Sequence, residues 1–148
     1  MAQGHATADR RYIGAAPMFF ERLGRAGLPD AVRTPIAGVL EFFLEDDDDT
    51  VEPSRDSFDG LLNFLQRHHD LPLPSIGVNR DGRFVAVWQN HAFRLSYEFL
   101  PTGRVLWAST ERQLGRILVR DGVADVDSLP SEFACLRGTP TAPNQPAR

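Results

Sequence analysis

At 148 residues and 42% hydrophobic content, the chain has room for one hydrophobic core and not for two. A net charge of −4 argues against a general nucleic-acid binder, which carries a basic excess, and a single cysteine, Cys135, rules out an internal disulfide and any need for an oxidising compartment. No charged-then-apolar leader and no long apolar run points to export or membrane insertion, so a cytoplasmic location is the expectation.

The first 11 residues are Gly, Ala and polar residues without periodicity and read as a disordered arm. Between Ala15 and Arg25, Phe19, Phe20 and Leu23 form one side of a short helix, with Pro17 in its first turn and Gly27 just past its end. Thr34-Pro35 supplies the N-cap and first residue of a second helix, in which Ile36, Val39, Leu40, Phe43 and Leu44 recur at helical spacing. That helix runs into Glu45-Asp46-Asp47-Asp48-Asp49, the wrong charge for a helix C-terminus. A third helix is expected from Asp56 or Ser57 to His69, with Phe58, Leu61, Leu62 and Leu65 on one stripe, and Leu71-Pro72-Leu73-Pro74 stops it.

From Leu71 to Ala108 the apolar period drops to two. Asn79-Arg80-Asp81-Gly82, Asn90-His91 and Pro101-Thr102-Gly103 separate four short strands, which predicts an antiparallel meander. In the third strand Phe93, Leu95, Tyr97 and Phe99 share a face, with Arg94, Ser96 and Glu98 on the other. The second strand, with Phe84, Ala86 and Trp88 alternating with Val85 and Val87, is apolar on both faces and reads as an interior strand. Thr110-Glu111-Arg112-Gln113 then fits a capping box, and Leu114, Ile117 and Leu118 suggest a short helix closed by Asp121-Gly122 and covering the second face of the sheet. A last short helix is expected from Pro130 to Leu136, and residues 139–148, with three prolines, read as a disordered tail. The expectation is thus a single α+β domain over residues 12–138, with a four-stranded antiparallel meander sheet, two or three N-terminal helices and one or two short C-terminal ones.

The chemistry-bearing patterns are sparse. Residues 41–59 carry nine acids against one arginine, leaving 11 acids and 15 arginines elsewhere. All sixteen basic residues are arginine, which codon usage in a GC-rich genome explains. Consecutive aspartates match neither a calcium loop, which alternates its ligands, nor a two-metal nuclease site, so no metal or other cofactor is expected. They suit a partner with a basic surface instead. Adjacent His68 and His69 point about 100° apart on a helix and do not share a metal readily, and His91 sits at a hairpin tip. Cys135 reads as a small apolar residue. No nucleophile elbow, phosphate-cradling glycine loop or dinucleotide fingerprint is present. Trp88, Tyr97 and Trp107, interleaved with arginines, have the composition of a base-stacking platform, but the alternation sends Tyr97 to the core, leaving Arg83, Arg94 and Arg104 available to acids.

Over Phe58 to Ala108, the helix, LPLP step, NRDG turn, Trp88 and LSYEFLPTGRVLW run resemble small bacterial proteins of antitoxin-like or mobile-element gene cassettes. That resemblance implies binding rather than catalysis and carries over no site residue. The helix-then-meander order and acidic charge are also similar to secretion-effector chaperones, which implies a homodimer. The reading is a non-enzymatic protein-binding module of inhibitor type that meets its partner through Glu45, Asp46, Asp47, Asp48, Asp49, Glu52, Arg83, Arg94 and Arg104. A chaperone-like homodimer is the first alternative, and a metal-dependent nuclease or hydrolase using the acids with His68 or His91 is the second.

Overall fold

The computed structural model describes residues 17–45 and 52–126, with backbone only at 43–45. It is α+β: three helices, then a five-stranded antiparallel sheet in sequential order. The acidic run Asp46–Asp49, the expected helix from Pro130 to Leu136, the arm and the tail lie outside the described residues.

Helix α1 (residues 17–25) buries Phe19 and Leu23, one helical turn apart, and gives way at Gly27, whose φ of 67° is the left-handed conformation glycine adopts without strain. Helix α2 (Asp30–Glu45) starts ahead of the expected Thr34-Pro35. The Pro29 carbonyl accepts from the amides of Val32 (2.9 Å) and Arg33 (2.8 Å), and Asp30 pairs with Arg33, so a first turn closes before Pro35 is reached. Pro35 therefore lies inside the helix, where it withholds the N–H that the Ala31 carbonyl would accept; both residues are exposed, so water can take that place. Ile36 and Leu40 are its buried stripe.

Helix α3 (Arg55–Arg67) is fixed at its first turn. The Ser54 hydroxyl caps it by accepting from Ser57 N at 3.1 Å, while Ser54 N donates to Gly82 O at 2.8 Å. Buried Ser57 turns its own hydroxyl to accept from Phe84 N at 2.8 Å, pinning the helix to the start of the second strand. At the other end the Gln66 side chain donates to Ala26 O at 2.5 Å. Phe64, which the stripe of Phe58, Leu61, Leu62 and Leu65 leaves out, is the centre of the aromatic core: its ring centroid is 5.1 Å from that of Tyr97 and 5.8 Å from those of Trp88 and Phe99.

The strands are β1 (Ser75–Val78), β2 (Phe84–Gln89), β3 (Phe93–Phe99), β4 (Arg104–Gln113) and β5 (Arg116–Asp125). Side-chain caps set the first turns: Asn79 Oδ1 accepts from Asp81 N (2.9 Å) and Arg83 N (3.0 Å), and Asn90 Oδ1 from Ala92 N (2.9 Å) and Phe93 N (2.8 Å). Phe84, Ala86 and Trp88 on β2, with Phe93, Leu95, Tyr97 and Phe99 on β3, are buried under the helices as their alternation requires.

The largest departure from the sequence reading follows Ala108. Where a capping box and a covering helix are expected, β4 continues to Gln113, turns through Leu114-Gly115, and returns as β5, with Gln113 paired to Arg116. Leu114 (φ 48°) and Gly115 (φ 76°) both have positive φ, the condition of the tight hairpin turn that matches strand twist. An unbroken antiparallel ladder from Arg104↔Asp125 to Gln113↔Arg116 satisfies the backbone of the hairpin, and a helix at Thr110–Leu118 would have left β4 an unpaired edge.

Candidate functional site: the uncovered face of the sheet

Register separates the two faces. Phe99↔Val105, Tyr97↔Trp107 and Leu95↔Ser109 lie on the helix side of β3 and β4. Glu98↔Leu106↔Val123, Ser96↔Ala108↔Asp121 and Arg94↔Thr110↔Val119 form rows on the other side, extended by Arg112↔Ile117. Helix α2 packs on β1 and α3 on β2 and β3, all on the first side. Among the described residues nothing lies over the second.

That second face is apolar where it is most open. Ile117 is 65% exposed, Val119 66%, Val123 50% and Leu106 37%, and they stand next to one another across the β4–β5 ladder with exposed Ala108 among them. Isolated exposed apolar residues are ordinary; these share one face of a single hairpin. Among the described residues β5, ten residues long, is the last strand of the sheet.

The charges around the patch divide it into two ends. Near Pro101–Gly103, Arg83 donates to Glu98 Oε2 at 3.0 Å and Arg104 Nε lies 3.8 Å from Asp125. At the end nearer the β4–β5 turn, Arg94 and Arg112 line a notch of about 150 Å³ with Gln89, His91, Thr110 and Ile117. Arg94 donates there to Gln89 Oε1 at 3.0 Å, a neutral acceptor that leaves its charge uncompensated. Exposed Asp121 lies toward the middle of the ladder, opposite Ala108.

Arg83, Arg94 and Arg104, expected from the sequence to face acids, do share this face, each already holding an acceptor. Of the acidic residues, Glu45 is the last residue of α2 and Glu52 is exposed just before α3; Asp46 to Asp49 lie outside the described residues. His68 caps the end of α3, its amide bonded to Phe64 O at 2.9 Å and its ring centroid 4.7 Å from that of Phe64, while His91 is exposed in the β2–β3 turn. Among the described residues no three His, Cys, Asp or Glu side chains are grouped to hold a metal ion. Trp88 and Tyr97 are buried, Trp88 Nε1 donating to Pro72 O at 2.8 Å, so neither offers a free ring to a base. A second concavity, of about 460 Å³, opens beside Leu28, Val32, Leu65, His68, Leu71 and Pro72, where the α1–α2 link meets the end of α3.

Sequence reading misses Leu106, Ile117, Val119 and Val123 as one surface because it assigns part of them to a helix. The signal that finds them is Leu114-Gly115 between two runs rich in β-branched residues, Val105 to Thr110 and Ile117 to Val123. No helix of the described residues is long and apolar enough to cross a membrane. Comparison with protein-family models, with curated proteins and with solved structures finds no match for the chain.

Proposed function

We propose that this chain is a non-enzymatic protein-binding module of inhibitor type and that the uncovered face of β3–β5 is its contact surface. The observation that carries the reading is the shared exposure of Leu106, Ile117, Val119 and Val123 on one face of a sheet whose other face carries the core at β2, β3 and the start of β4. Covering these four aliphatic side chains stabilises a contact at roughly 25 cal/mol per Å² of apolar area removed from solvent. The arginines around them supply orientation and faster encounter more than affinity. The acidic segment from Glu45 to Glu52 is a second contact in this reading, for a basic patch on the partner; changing Asp46 to Asp49 to Asn then weakens binding, and added salt does the same.

Photocrosslinking tests the surface directly. A benzophenone amino acid placed at Val119 captures a protein at that face in the source cells, and the same probe at exposed Arg25 on α1 does not. Equal capture at both positions, or capture at Arg25 alone, overturns the assignment.

A further inference from the structure

Four arginines stand on the uncovered face, and their charges are not equally matched. Arg83 and Arg104, at the end near Pro101–Gly103, each have a carboxylate on the same face: Glu98 Oε2 lies 3.0 Å from Arg83 Nη1, and Asp125 Oδ1 lies 3.8 Å from Arg104 Nε. Arg94 and Arg112, at the other end, form no ion pair among the described residues. Arg94 Nη1 donates to the Gln89 side-chain oxygen at 3.0 Å, which orients the guanidinium without neutralising it. Asp121 is paired with Ala108, four positions along β4 from Arg112 and so roughly 13 Å away in a strand. Glu111, which also lines the notch, belongs to the helix-side row with Phe93.

The register brings the two unmatched arginines together. Arg94 is paired with Thr110, and Arg112 is the next residue of β4 on the same face, so the two are diagonal neighbours, a separation long side chains span. Both line the notch of about 150 Å³, with Gln89, Thr110 and Ile117. Two like charges beside one hollow repel, and an anion set between them relieves that repulsion. The surroundings of that anion are apolar: Ile117 is a wall of the notch, and exposed Val119 stands opposite Thr110.

We infer that the notch seats the carboxylate of an aspartate or glutamate on the partner protein, between Arg94 and Arg112, while apolar residues beside that acid cover Ile117 and Val119. The inference rests on the reading of this face as a binding surface and adds what the partner presents to it. A guanidinium meets a carboxylate with parallel N–H donors, and the pair strengthens where apolar neighbours exclude water. The notch has room for an acidic head group and is smaller than small-molecule pockets, which start at about 300 Å³. The net charge of −4 opposes the approach of a polyanion such as nucleic acid. The opposite end of the face, where Glu98 and Asp125 are already in place, exerts no such pull. The partner is therefore oriented across β3–β5 with its acid toward the β4–β5 turn.

The benzophenone probe at Val119 in the full chain supplies the test. The protein it captures in the source cells is identified together with the peptide joined to the probe, and that peptide is expected to carry an aspartate or glutamate beside the point of attachment. Binding of that purified protein is then followed by titration calorimetry. Arg94→Gln and Arg112→Gln, with melting temperatures close to wild type, are each expected to weaken binding by about tenfold, and Arg104→Gln by clearly less. Arg112→Glu is expected to weaken it further, and arginine in place of the partner's acid to restore it. A joined peptide without an acid, a probe joined to a second copy of this chain, a loss at Arg104 as large as at Arg94 and Arg112, or no recovery in the charge-swapped pair overturns the inference while the binding surface stands. If the Val119 probe captures nothing, or only nucleic acid, both fall.

Discussion

The two halves of this sheet are built for different purposes. On β2 and β3 the inward residues carry the aromatic core: Phe84, Trp88, Tyr97 and Phe99 meet Phe58 and Phe64 of α3 with ring centroids 4.9 to 5.8 Å apart. On β5 no residue is fully buried; the strand is paired to β4 along its length, and Ala124 near its end packs against the core. Dense packing makes the first half a source of stability and intolerant of change. The second half is regular backbone with its outer side chains in solvent, which the proposed reading offers to a partner, and those side chains are free to vary without loss of the fold.

The contrast is sharpest in the size of the effects expected on substitution, read from urea melts of the monomer. Phe64→Ala removes the ring on which Trp88, Tyr97 and Phe99 converge and is expected to cost about 3 to 5 kcal/mol; Leu95→Ala, fully buried between strands, costs about 2 to 5 kcal/mol. Ser57→Ala is a smaller change in volume but strands the buried Phe84 amide, which loses its 2.8 Å acceptor, for about 1 to 3 kcal/mol.

Gly122→Ala probes the seam between the two regions. Gly122 lies opposite Trp107, whose indole covers it so closely that an added Cβ would sit 3.0 Å from Nε1. The half-buried ring has room to yield, so the expected loss is about 1 kcal/mol, at the low end for overpacking. Arg94→Ala and Ser96→Ala, on the uncovered face, are expected to cost under about 1 kcal/mol. A loss at Ser96 equal to that at Leu95 would mean that the outer face is covered after all.

The same contrast explains what could be read in advance. Helices α1 and α3 and strands β1 to β3 are legible because one face of each is core, and burial on one side imprints a period on the sequence: Phe93, Leu95, Tyr97 and Phe99 need no structure to be assigned inward. Phe64 escapes because it widens the α3 stripe instead of extending it. The start of α2 is misplaced because Pro35 follows threonine, a proper helix start, while the real one uses the Pro29 carbonyl, which leaves no side-chain signature. The start of β4, Val105 to Ala108, is read as a strand from the sequence, but the rest of β4 and all of β5 are illegible for the reason that makes them interesting. With only Ala124 of β5 packed against the core, little forces polar and apolar residues to alternate, and Leu114, Ile117 and Leu118 fall by chance at helical spacing. Of the expected contact residues, Arg83, Arg94 and Arg104 do share one face, but the apolar residues beside them stay hidden until the strand pairing is known.

Val119→Asp most directly separates the two roles. The account predicts that this variant unfolds within about 1 kcal/mol of wild type, because Val119 is exposed and such a position contributes little beyond β-propensity. With the benzophenone probe moved to Ile117 on the same face, it is expected to capture the partner far less than the chain with Val119 intact. A Val119→Asp chain that captures as much as the chain with Val119 intact, or one destabilised as severely as Phe64→Ala, would contradict the division of this protein into a helix-covered core and an uncovered binding face.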